Sequence, residues 1–222
     1  MEYLVSDIIR EAKVAIDENV SSDALTALGD LDTLTLDEII RSKVEDAARL
    51  VEEGAAHYLL DGGQNFGGAI YWQGDVEGYG AGHLDLPDDF MRLVTFMMSD
   101  WDYPVTVAIT EEDPRYPMQA SRYGGVRGNP QRPVVAITHG QGSSALQLEF
   151  YSCTAGPGTH IRVARYLAVP KVSSTGRINL CEKLKRAVVY RLASMTAAIV
   201  GAPDVAAVLL GTSNELAGIV TG

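Results

Sequence analysis

Apolar residues in the first sixty positions recur at helical spacing. Val5, Ile8, Ile9, Ala12 and Ile16 step by three or four after Ser6, which predicts an amphipathic helix near the N-terminus. A polar connector follows from Asn19 to Asp32. Thr35 and Glu38 then form a capping-box pattern, and Ile40, Val44, Ala47, Val51, Ala55 and Tyr58 line one face of a second helix expected to end near Leu60. Its outer face alternates in sign through Arg41, Glu45, Arg49 and Glu53.

Glycine clusters, GGQNFGG and GYGAG, interrupt this period between Gly62 and Gly82. From Leu84 the period shortens to that of strands. Phe90–Met98 is nearly continuous apolar chain, Val105–Thr110 is β-branched, and Val134–Thr138 follows Pro133. Leu146, Leu148 and Phe150 alternate with polar neighbours as in a half-buried strand. Ile161–Val169 begins the same alternation, and Arg165 breaks it, the signature of a bulge or an interface position. Asp113–Tyr123 suits a short helix and Tyr123–Pro133 a turn-rich loop.

Helical spacing returns with Leu180, Leu184, Val188, Met195 and Ile199, preceded by Asn179 and Glu182 in a capping pattern. Gly201 suits the end of that helix, and Pro203 the first turn of a last one through about Leu216. The fold class expected is α+β: N- and C-terminal helices (1–61 and 178–222) packed as a bundle beside a central antiparallel β-sheet domain (62–177) of about five strands with Gly-rich loops.

Charge sharpens this division. The net charge is −11, but residues 1–61 carry 15 acids against 5 bases and residues 62–114 carry 10 against 1. The sign then reverses, with 12 bases and 2 acids over residues 115–191. Such asymmetry suits either an electrostatic partner surface or self-association of complementary faces. The first ten residues, acidic at Glu2 and Asp7, resemble neither a signal nor a transit peptide, and the longest charge-poor stretch, Leu192–Pro203, is too short and polar to span a bilayer. No membrane partner is expected. Cys153 and Cys181 stand apart from each other and from the histidines, as two buried free thiols would.

Chemistry-bearing patterns are sparse. No phosphate-binding glycine loop occurs, His57, His83, His139 and His160 form no ligand pair, and HGQG at His139–Gly142 has no GxSxG serine elbow to serve. Asp88 and Asp89, adjacent in an extended chain, point to opposite faces and cannot flank one glycosidic bond. The expectation is a non-enzyme with no catalytic residue, cofactor or metal. Arg122, Arg127 and Arg132, separated by glycines and Tyr123, fit either a nucleic-acid loop or a basic surface that meets the acids of another copy.

The series DTLTLDEIIRSKVEDAARLVE (Asp32–Glu52), LPDDFMRLVTFMMSDW (Leu86–Trp101), SRYGGVRGNPQRPV (Ser121–Val134) and LEFYSC (Leu148–Cys153) resembles a virion protein of crAss-like phages. The arrangement is also similar to the tail-adaptor, or tail tubular, proteins of short-tailed phages, including the break at Gly201-Ala202-Pro203. The resemblance covers roughly Ser6 to Leu216. It implies a head-to-tail connector: a homo-oligomeric ring, typically of twelve copies, assembled in the host cytoplasm and placed in the virion neck. Its neighbours would be the portal protein or an adjacent tail ring or nozzle protein, and phage DNA would pass through the lumen without sequence recognition. The alternative is a nucleic-acid-binding module using the basic 115–191 block.

A ring of head-to-tail contacts needs two different complementary surfaces on each subunit. The basic candidates are Arg122, Arg127, Arg132, Arg162 and Arg165, and the acidic ones Asp88, Asp89, Asp100, Asp102, Glu111 and Glu112. Some of these pairs can instead close inside one subunit. Leu216, Ile219 and Val220, apolar at the end of the last helix, are candidates for docking onto the portal or a neighbouring ring.

Overall fold

The computed structural model describes residues 1–17, 36–76, 79–121, 123–140, 145–153 and 159–220. The polar connector, Thr35, Gly78 and Arg122 lie outside the described residues, as do the side chains of Val76, Tyr79 and Cys153. The fold mixes helices at both ends of the chain with antiparallel-rich sheets between them. It divides into two compact units, Met1–Gly62 with Val169–Gly222, and Gly63–Ala168.

The first unit is helical. Strand β1 (Glu2–Leu4) leads directly into α1 (Val5–Asp17), and the apolar series read from sequence, Val5, Ile8, Ile9, Ala12 and Ile16, is buried throughout. Helix α2 (Leu36–Gly54) buries Ile40, Val44, Ala47 and Val51 on the expected face. It ends six residues before Leu60, because a 3-10 turn at His57–Leu59 replaces the last helical turn, and Tyr58 is therefore left 73% exposed. Helix α3 (Lys185–Ile199) packs against α1, α2 and α4 (Pro203–Ala217). A helix surrounded on three sides needs more than one apolar stripe. Accordingly Ala187, Val188, Val189, Leu192, Ala193 and Ala197 are buried almost all round, while Ile199, read as part of a single face, is 48% exposed.

Small side chains let α3 and α4 approach closely, and hydroxyls join them: Ser194 Oγ donates to Ala206 O at 2.7 Å and Ser213 Oγ to Ala187 O at 2.8 Å. Both helices stop at a left-handed glycine, Gly201 (φ 83°) and Gly218 (φ 64°). The following N–H closes a six-to-one bond each time, Ala202 to Ala197 O at 2.9 Å and Ile219 to Asn214 O at 2.8 Å.

One pairing was invisible to local pattern. β1 runs antiparallel to a short strand at Arg177–Asn179, with Tyr3 opposite Ile178. Met1 N donates to Leu180 O at 2.7 Å, and Leu180 N–H returns a bond to Met1 O at 2.9 Å. Residues 169–177, grouped with the sheet domain in the sequence reading, thus belong to the helical unit.

The second unit carries the sheets. Strands β2 (Gln64–Asn65), β3 (Tyr71–Val76), β4 (Tyr79–Asp85), β5 (Phe90–Met98), β6 (Ile109–Thr110), β7 (Val135–His139), β8 (Leu146–Cys153) and β9 (Ile161–Ala168) form two groups. One has the order β2-β9-β5 and the other β3-β4-β8-β7-β6. All pairs are antiparallel except β6 with β7, which are parallel. The β3–β4 hairpin occupies glycine-rich chain read as breaks, and it tolerates glycine for a steric reason. A Cβ on Gly82 would stand 2.6 Å from Phe150 Cζ, so only a missing side chain lets that ring sit against the strand. Phe96 and Phe150 are fully buried with ring centroids 6.0 Å apart, and Trp101 meets Phe96 edge-on at 5.6 Å. Opposite Arg165 the register slips between Leu93 and Thr95, which places the irregularity on β5.

Candidate functional site

The ends of the β unit differ in charge, and strand register shows why. At one end stand the last residues of β4 and β7 and the first of β8 and β5: Asp85 is opposite Gln147 and His139 is opposite Leu146. The Pro87–Asp89 turn lies at this end, since Leu86 N–H bonds Leu146 O at 3.0 Å. So does the chain after β6, because Glu111 Oε1 accepts from His139 N–H at 2.9 Å. Asp85, Asp88, Asp89, Glu111 and Glu112 therefore share one end. Asp89 also accepts from Tyr166 Oη at 2.8 Å, and burial together with that bond pushes the Tyr166 phenol up to about 12.

Arginines gather at the opposite end. The loop 123–132 feeds the first residue of β7, and Asp102 N–H bonds Pro130 O at 3.0 Å, which joins the loop to the chain leaving β5. Arg162 sits there too, next to Ile161, whose partner is Met98. Arg115, Arg127 and Arg132 line a cavity of about 350 Å³ together with Gln119, Asn129 and Val134, and no carboxylate is among its lining residues. β7 spans about 13 Å and β5 about 26 Å at ~3.3 Å per residue, so the ends are separated by more than the ~8 Å screening length of physiological salt.

The cavity walls are held by the chain itself. A 3-10 turn at Pro117–Ala120 begins on proline, and the buried Gln119 staples it to the loop, donating to Arg115 O at 2.9 Å and accepting from Gly128 N–H at 3.0 Å. Asn129 Oδ1 accepts from the N–H groups of Gln131 and Arg132, both at 3.0 Å, while its Nδ2 donates to Gly124 O at 3.0 Å. Arg115 is locked to Asp113 through Nε at 3.0 Å and a terminal nitrogen at 2.7 Å, and these bonds hold the Asp113 carboxyl down at about 2. Arg127 is 5% exposed and Arg132 is exposed.

These placements sort the residues picked from sequence. Arg132 and Arg162 are exposed at one end, and Asp88 and Glu112 at the other. Arg127 is interior, which corrects its reading as a surface charge: a guanidinium on a glycine-rich loop folds inward here. Arg165 is half-buried in mid-strand, paired with Asn65 and Thr95. Asp100 and the exposed Asp102 lie at the arginine end, where the acidic block of the sequence would not have put them. Arg122 lies outside the described residues. Arg115 and Gln119 were missed, since a Pro-rich turn gives no periodic signal. Among the described residues Asp88, Asp102, Glu112, Arg132 and Arg162 join no ion pair, whereas Arg115 is paired with Asp113.

In the helical unit Leu216 and Ile219 are half-buried. Ile219 Cδ1 would touch a Cβ on Gly54 at 3.1 Å, and Val220 is 93% exposed. A second polar cluster crosses the sheet, where Glu149 accepts from Tyr116 Oη at 3.2 Å, from Thr138 Oγ1 at 3.1 Å and from Tyr151 Oη. Burial, then Glu149, raises both phenols, so the cluster is a half-buried acceptor satisfied by hydroxyl donors. Among the described residues no three His, Cys, Asp or Glu side chains converge as metal ligands, and no helix is long and apolar enough to cross a membrane. Comparison with known protein families finds no match, and no curated protein matches the chain.

Proposed function

We propose that this protein is a structural ring component of the head-to-tail junction of a short-tailed phage, a homo-oligomer seated in the virion neck against the portal or an adjacent tail ring, with DNA passing through its lumen unread. The sequence resemblance suggests the role. The single observation that carries it is the uneven distribution of exposed charge along the β unit, with Asp88, Glu111 and Glu112 at one end, and Arg132 and Arg162, beside Asp100 and Asp102, at the other. A subunit whose two ends differ in charge suits heterologous contacts, which close into rings when the rotation permits. Complementary rim charges speed encounter and set register more than they add affinity.

The nucleic-acid reading draws less support. The 12 bases of residues 115–191 divide evenly between the two units, six in each, and Arg115 and Lys185 are already paired with Asp113 and Glu11. The test is sedimentation velocity with negative-stain imaging across ionic strength. Closed rings are expected near physiological salt, with assembly slowed at 1 M, where the screening length falls to roughly 3 Å. A chain that stays monomeric at every salt and concentration up to about 100 µM, well above common affinities, overturns the reading.

A further inference from the structure

We draw no further inference here: the strongest candidate, the groove between helices α1 and α3 lined by Val14, Ala15, Val189, Arg186 and Tyr190, carries no proposal because nothing in the structure shows what covers it.

Discussion

Gly201 and Gly218 form a matched pair in which one glycine has room and the other has none. Both terminate helices at positive φ, both are followed by the same six-to-one bond, and both would charge an alanine the cost of left-handed backbone, about 1–2 kcal/mol, less a few tenths recovered from the stiffer unfolded chain. Around Gly201 a Cβ would meet nothing within 4 Å. At Gly218 it would lie 2.8 Å from Ala56 Cβ and 3.1 Å from Tyr58 Oη, beside the bond from Ala56 N–H to Ala217 O at 2.8 Å. Ala56 has no rotamer with which to retreat, so the backbone after α2 must shift, and overpacking of that kind costs about 1–3 kcal/mol. Gly201→Ala should therefore destabilise by about 1 kcal/mol and Gly218→Ala by about 2–4 kcal/mol. Urea unfolding followed at 222 nm reads the difference as a midpoint about 0.5–1.5 M lower for G218A than for G201A, at an m-value near 2 kcal/mol/M. Equal midpoints would refute the reasoning, because the two substitutions share everything except the neighbour.

Two further predictions concern the interior of the helical unit. Glu52 is 2% exposed, and its Oε1 accepts from Cys181 N–H at 2.7 Å; burial raises its carboxyl above the ordinary value, so the folded protein binds a proton more tightly than the unfolded chain. Stability contributed by this group then falls as pH rises from the unfolded carboxyl value through the folded one, and Glu52→Gln, which keeps an acceptor, should raise the melting temperature more at pH 8 than at pH 4, as calorimetry would show. Cys181 is 1% exposed and its thiol is pushed up to about 12 by burial and by Glu52, so it should resist alkylation at pH 8 in the native protein and react fully in urea, read by peptide mass spectrometry.

The elements most legible in the sequence are those whose partners lie on one side. α1 and the first four turns of α2 bury the residues that a period of 3.6 selects, and β8 buries Leu148 and Phe150 as a period of 2 selects, while Tyr151 on its other face is buried as well. Legibility fails where burial comes from several directions or from distant chain. α3 is enclosed by three helices, so its face cannot be read as a stripe, and Glu52 lies within an apolar surround that its charge disguises. The β1 pairing joins residues some 175 positions apart, and the parallel contact of β6 with β7 is set by two residues of strand. The candidate site was legible as a charge reversal and not as a geometry. Arg127 was sought on the surface and lies inside, Asp102 fell at the arginine end, and the wall built by Gln119 had no pattern to announce it.

The division of the chain also dictates an order of events during synthesis. The β unit is one continuous stretch, Gly63–Ala168, set inside a helical unit whose two parts flank it. A ribosome completes every residue of the sheets before it has made Ser194 and Ser213, whose hydroxyls join α3 to α4, or Leu180, which anchors Met1. Helices α1 and α2 emerge with apolar faces that pack chiefly against α3, made more than a hundred residues later. At ~5–20 residues per second that interval lasts several seconds, during which a finished β unit is tethered to uncovered N-terminal helices. Arg41, Glu45, Arg49 and Glu53 are exposed on the outer face of α2, so the waiting segment presents mixed charge on one side.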